Sequence, residues 1–153
     1  MKKLFMPLLA GTLSVALAGV AMAADDPIRK AQELRQAPMK LIANNFGFMS
    51  AMAKGDIPWN AGEFQARGRE LGAIGQLDLM RGYVPESYEG KTRAKPDVDF
   101  EIDDFREKMQ KFEVALRDFG GIADANSMRA AIGDLGENCK GCHKKYKSKE
   151  YQD

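Results

Sequence analysis

From Asp26 onward, apolar residues return at intervals of three and four, the period of a helix face, and nowhere alternate at two as a half-buried strand would. Asp26 and Pro27 supply an N-cap and a first-turn proline. After them Leu34, Leu41, Phe48 and Met52 trace one stripe, with Met39, Ile42, Phe46 and Met49 beside it. A first helix is therefore predicted up to Gly55 and Pro58, kinked at Pro38, whose nitrogen cannot donate back to Leu34. Asn60 and Glu63 have the spacing of a capping box and open a second helix carrying Phe64, Leu71, Ile74 and Leu77. Its glycines, Gly68, Gly72 and Gly75, lower helix propensity but admit a close neighbour. The run GYVPESYEGKTRAKP, residues 82–96, breaks the pattern and reads as a long connection with room for a short helical turn. A third helix carries Ile102, Phe105, Met109, Phe112, Leu116 and Phe119 and stops at Gly120 and Gly121. A fourth starts between Asp124 and Ser127 and carries Met128, Ile132, Leu135, Cys139, Cys142 and Tyr146. Four amphipathic helices without strands predict an all-α, antiparallel up-down four-helix bundle.

The first residues obey a different rule. Lys2 and Lys3 precede a short apolar run, Leu8 to Val20, and the small-residue site Ala21-Met22-Ala23. This is the pattern of a secretory signal peptide, 1–23, leaving residues 24–153 as one exported domain. The run falls short of the roughly 20 residues that a membrane span needs, so no span is expected in the mature chain. With 23 basic and 22 acidic residues the chain lacks the basic excess of a nucleic-acid binder.

Both cysteines and the only histidine fall in one pentapeptide, Cys139-Lys140-Gly141-Cys142-His143. A disulfide here would close too small a loop to constrain the unfolded chain. Structural zinc needs four ligands, and with no further Cys or His in the chain the fourth would have to be an Asp or Glu, which disfavours that reading. A redox dithiol needs its Cys-x-x-Cys at the head of a helix, where the dipole lowers a thiol pKa, whereas this one lies near a helix C-terminus. Covalent haem agrees with every feature: two thiols one turn apart each add to a vinyl group, and His143 comes next as the axial iron ligand. Only ten residues lie beyond His143 and none is methionine, so a sixth ligand comes from upstream or the position stays open.

With the motif at the C-terminal end, the chain resembles the class II c-type cytochromes, the cytochrome c′ family. The similarity runs from LRQAPMKLIANNFGFMSAMAKG through FREKMQKFEVAL to CKGCHKKYK. The resemblance implies a periplasmic four-helix bundle with one haem c, usually a homodimer, that binds nitric oxide or carbon monoxide or carries electrons to periplasmic redox proteins in respiration. By the same resemblance, Cys139 and Cys142 attach the haem and His143 ligates its iron. Arg35 and Gln36 lie near the haem, Met39 holds the variable distal position, and Tyr88-Glu89-Gly90 matches a loop beside the haem edge. Asp99 replaces a tryptophan frequent before the third helix, and Lys147 stands where arginine is common.

Two uses of Met39 stay open. A methionine on a helix stripe is ordinary core filler. By the resemblance it either packs over a five-coordinate iron, giving a gas binder, or binds the iron as sixth ligand, giving a low-spin electron carrier. Arg35 on a helix is ordinarily a solvated or ion-paired residue, and the resemblance offers it a haem propionate instead. Lys140, Lys144, Lys145, Lys147 and Lys149 suit a helix C-terminus and would also form a basic rim toward an acidic redox partner. No enzyme is expected, since a peroxidase would need a second histidine as distal acid and base.

Overall fold

The computed structural model describes residues 26–151, so the signal-peptide expectation for 1–23 lies outside the described residues. Helix α1 spans Pro27–Lys54, α2 Ala61–Ile74, α3 Asp97–Phe100, α4 Ile102–Gly120 and α5 Ala125–Tyr146. The four long helices, α1, α2, α4 and α5, form the up-down bundle, and the short α3 lies in the connection after residue 82. Among the described residues no helix is long and apolar enough to cross a membrane.

The ends form where side chains satisfy orphan backbone groups. The Asp26 carboxylate accepts from the Ile28 N–H at 3.0 Å, and α1 closes at Gly55, left-handed at φ 86°. Asn60 caps α2 through the Glu63 N–H at 3.0 Å, and Asp124 caps α5 through Asn126 and Ser127. α1 stays helical on both sides of Pro38.

One expectation is corrected. Leu34, Leu41 and Phe48 do not face the core: they are 44%, 58% and 36% exposed. The buried stripe of α1 is instead Ala31, Gln32, Arg35, Ile42, Asn45, Met49 and Met52. Periodicity identified a helix with two candidate faces, and three polar residues occupy the inner one because partners await them there. Leu77 is likewise exposed and lies beyond α2. The remaining core conforms to the pattern, with Phe64, Leu71, Phe105, Leu116 and Met128 all but inaccessible to water.

Packing of α2 on α4 is close because side chains are missing there. A Cβ on Gly75 would sit 2.8 Å from Leu116 Cβ, and on the α5 side one on Gly68 would collide with Met128. α1 and α4 lie on one diagonal and never approach within 8 Å between Cα atoms, leaving room between them.

The connection 82–96 is not a free loop. Gly82, at φ 92°, lies so close to α1 that a Cβ would collide with the Ala31 carbonyl. Three polar side chains of α1 hold the eleven residues from Gly82 to Thr92 against that helix. Arg35 donates to Gly82 O at 2.9 Å, Ser87 Oγ at 2.6 Å, Thr92 Oγ1 at 2.8 Å and Ser87 O. Gln32 donates to the carbonyls of Ser87 and Glu89, and Gln36 to that of Lys91. At its far end the connection bridges to the chain beyond α5 through Ala94 and Lys147, with Lys95 N–H donating to Tyr146 O and Ser148 N–H to Arg93 O.

Candidate functional site

The space between α1, α4 and α5 is a cavity of about 480 Å³, walled on one side by the 82–96 connection. Its volume lies in the usual range for cofactor sites, roughly 300–1,000 Å³. From α1 come Met39, Ile42, Ala43 and Phe46, from α4 Phe105, Met109 and Phe112, and from α5 Cys139, Cys142, His143 and Tyr146. These are the same three/four spacings that defined the helices. The stripe of α5 is the reason both cysteines reach one cavity.

Cys139 and Cys142 are half-buried, unpaired, and one turn apart. Cys139 Sγ donates to Leu135 O at 3.5 Å. Burial pushes both thiols up, Cys142 to about 11. A redox dithiol requires the opposite shift, so these thiols are not poised as thiolates. Among the described residues no three His, Cys, Asp or Glu side chains converge as a cage for a bare metal ion. His143 is exposed at the open edge of the cavity. Protein crowding its inner side, together with the positive Lys147 and Arg93, holds its pKa below the ordinary imidazole value, which keeps a ring nitrogen free to bind a metal centre.

The charged residues lining the cavity are all basic: Arg35, Lys40, Arg93, Lys108 and Lys147, with no carboxylate among them. An apolar slot with two half-buried thiols, an imidazole at its edge and only cations for charge fits a flat, largely apolar group that carries two carboxylates. Haem is such a group. Cys139 and Cys142 would hold it, and the basic side chains would meet its propionates.

Arg35, Gln36 and Met39 all line this cavity. Arg35 is only 3% exposed, and its hydrogen bonds to the connection fix its guanidinium, with the Tyr83 and Tyr88 rings at 5.2 and 5.1 Å. Burial lowers its pKa, although an arginine stays charged regardless. Tyr88 and Glu89 do not line the cavity. The Tyr88 hydroxyl donates to Asp99 Oδ1 at 2.8 Å, and Glu89 is exposed, its carbonyl accepting from Gln32. Asp99 thus serves as an anchor for the connection.

Several lining residues carried no signal as site residues in the sequence. Tyr83, Arg93 and Lys108 reach the cavity from a loop and an exposed helix flank. Tyr146 was legible as core but not as a site residue: its ring packs edge-on against Phe105 at 5.0 Å, and its hydroxyl donates to Asp104.

Fold and site together fit a four-helix cytochrome of the c type, with Cys139, Cys142 and His143 toward the end of the last helix. The family model described as Cytochrome C' matches residues 30–147, and the chain belongs to that family, whose members carry covalently attached haem c. Cytochrome c' of Cereibacter sphaeroides is 34% identical over 147 residues, 92% of this chain and 97% of that one. The solved cytochrome c prime of Shewanella frigidimarina superposes with a TM-score of 0.68 at 35% identity, covering 84% of this chain and 98% of the other. A nitric oxide complex of a mutant cytochrome c prime from Alcaligenes xylosoxidans superposes at 0.67 with 29% identity, covering 80% and 97%.

Proposed function

We propose that the chain is a periplasmic haem protein in which His143 is the single protein ligand to iron and Met39 covers the opposite face without binding it. Haem iron supplies two chemistries when bound, one-electron exchange and uptake of a diatomic gas. The observation that carries the reading is the setting of Met39: half-buried on the α1 wall with Ile42 and Phe46, in an apolar row that packs it as a filler. A gas such as nitric oxide or carbon monoxide then enters by displacing a flexible side chain. The solved nitric oxide complex of the Alcaligenes xylosoxidans relative supports this choice of ligand. The role in respiratory electron transfer rests on the same cofactor, and no side chain is assigned to catalysis.

A second copy of the chain is the expected partner. Leu34, Leu41 and Phe48 sit seven residues apart on α1 and are exposed, and Leu77 is exposed as well. Such a stripe is what one protomer would bury against another. Sedimentation should give a dimer, and Leu41→Glu a monomer.

Absorption and electron paramagnetic resonance spectra of the holoprotein test the assignment of Met39. A high-spin spectrum that stays high-spin in Met39→Ala, with faster carbon monoxide entry, is the expected result. A low-spin wild type turned high-spin by that substitution would reject it and make Met39 the sixth ligand of an electron carrier.

A further inference from the structure

The isolated bridge joins Ala94 and Lys147, 53 positions apart, and with them two stretches of the chain. One is Lys91-Thr-Arg-Ala-Lys95 and the other Lys140 to Lys149. Arg93 and Ser148 tie them further, through Ser148 N–H to Arg93 O at 2.8 Å and Arg93 Nε–H to Ser148 O at 2.9 Å, and Lys95 Nζ reaches Lys145 O at 2.8 Å. The two stretches hold eight of the chain's 23 basic residues and no acidic one, leaving 15 basic against 22 acidic residues in the remainder. A nearly neutral chain is thus polarised, with its positive end around His143. Lys95, Lys140 and Lys145 have carboxylates of this chain within reach. Lys91, Arg93, Lys144, Lys147 and Lys149 have no ion pair among the described residues.

We infer that this composite basic surface, formed only when the 82–96 connection is bridged to the end of α5, is the docking face for an acidic one-electron carrier protein. The inference rests on the haem reading of the site and adds the partner to it. Two observations favour a protein with an acidic face. Arg93 and Lys147 of this surface line the cavity together with the exposed His143, so a partner seated there lies close to the cofactor. Its uncompensated cations come from two backbone segments held in fixed register, which suits a partner with a fixed pattern of carboxylates. Docking steers approach and sets orientation; one electron then crosses, oxidising one centre and reducing the other, with no bond made or broken.

Holoprotein is compared with the triple variant Lys91→Glu, Lys144→Glu, Lys149→Glu, none of which lines the cavity, and with Lys54→Glu at the far end of α1 as a control. A purified blue-copper protein of net negative charge is the probe, and vesicles containing phosphatidylglycerol are the competing surface. The expected result has three parts. Amide shifts on adding the copper protein should fall in residues 91–95 and 144–149. The bimolecular electron-transfer rate should drop as salt rises. The triple variant should lose about tenfold or more of the rate at low ionic strength while Lys54→Glu does not. A normal haem spectrum with a rate indifferent to salt and to the triple variant would overturn the docking surface while leaving the haem reading intact. Vesicle binding lost in the triple variant, with the copper-protein rate unchanged, would also overturn it in favour of a membrane. A protein without haem absorption would overturn the underlying reading itself.

Discussion

Gly72 on α2 and Gly120 on α4 meet backbone to backbone, so closely that a Cβ on Gly72 would stand 2.8 Å from Gly120 Cα. Neither helix can yield without opening the interface that also seats Gly75 over Leu116 and shifting Gly68 against Met128 of α5. Gly72→Ala should therefore destabilise the holoprotein by about 1–3 kcal/mol, the range for overpacking. Gly133→Ala on α5, where nothing lies within 4 Å, should instead stabilise by up to about 1 kcal/mol. Denaturant midpoints of the two variants measure the contrast, and equal shifts would contradict it.

Arg35 is the pin of the cavity wall. Replacing it with Ala removes the donor to the Gly82 carbonyl and one of two donors each to the Ser87 carbonyl and the Thr92 hydroxyl, which keep Gln32 and the Ala94 N–H, and hydrogen bonds to a charged group are worth about 1.5–3 kcal/mol each before relaxation. A loss of about 3 kcal/mol is expected, with hydrogen-exchange protection falling first in residues 82–92. Gln36→Ala removes one exposed bond, to Lys91 O, and should cost less than about 1 kcal/mol. Uniform loss of protection across the bundle in Arg35→Ala would show that Arg35 does not act through the connection.

Thioether attachment makes a mass prediction. Acid and organic extraction should leave haem on the wild-type polypeptide and remove it from the Cys139→Ala, Cys142→Ala double variant. The double variant should also melt at lower temperature, because the core loses the large apolar group that fills the cavity on folding. Two free thiols in the mature wild-type protein would refute covalent attachment.

Acid stability should carry the signature of an N-cap. Hydrogen bonds from the Ser127 side chain and N–H, joined by that of Asn126, hold the Asp124 carboxyl below the ordinary carboxylate range. A depressed folded pKa means stabilisation that is present above the unfolded value, about 3.9, and lost as pH falls through the lower folded one. Asp124→Asn keeps a capping oxygen but does not titrate. The stability difference between the two proteins should be constant above about pH 5 and shift against wild type below about pH 4. Parallel acid-unfolding curves would exclude this role.

The residue pattern alone determined a good deal. Helix period, caps at Asp26 and Asn60, the start of the last helix near Asp124, and breaks at Gly55 and Gly120-Gly121 are local properties, governed by interactions within a few residues, and each appears in the structure where the sequence placed it. The motif at Cys139, Cys142 and His143 was legible for the same reason, since one helical turn brings its parts together. The tertiary structure decided which of two faces α1 buries, and what the connection does. Leu34, Leu41 and Phe48 made the better apolar stripe, yet Gln32, Arg35 and Asn45 went inside. Hydrophobic burial is indifferent to direction, whereas buried polar groups go only where acceptors are positioned, and those of Ser87 and Thr92 lie about fifty residues further along the chain. The bridge that gathers two basic runs beside His143 is likewise a contact between distant segments, so its charge pattern exists only once the bundle has folded.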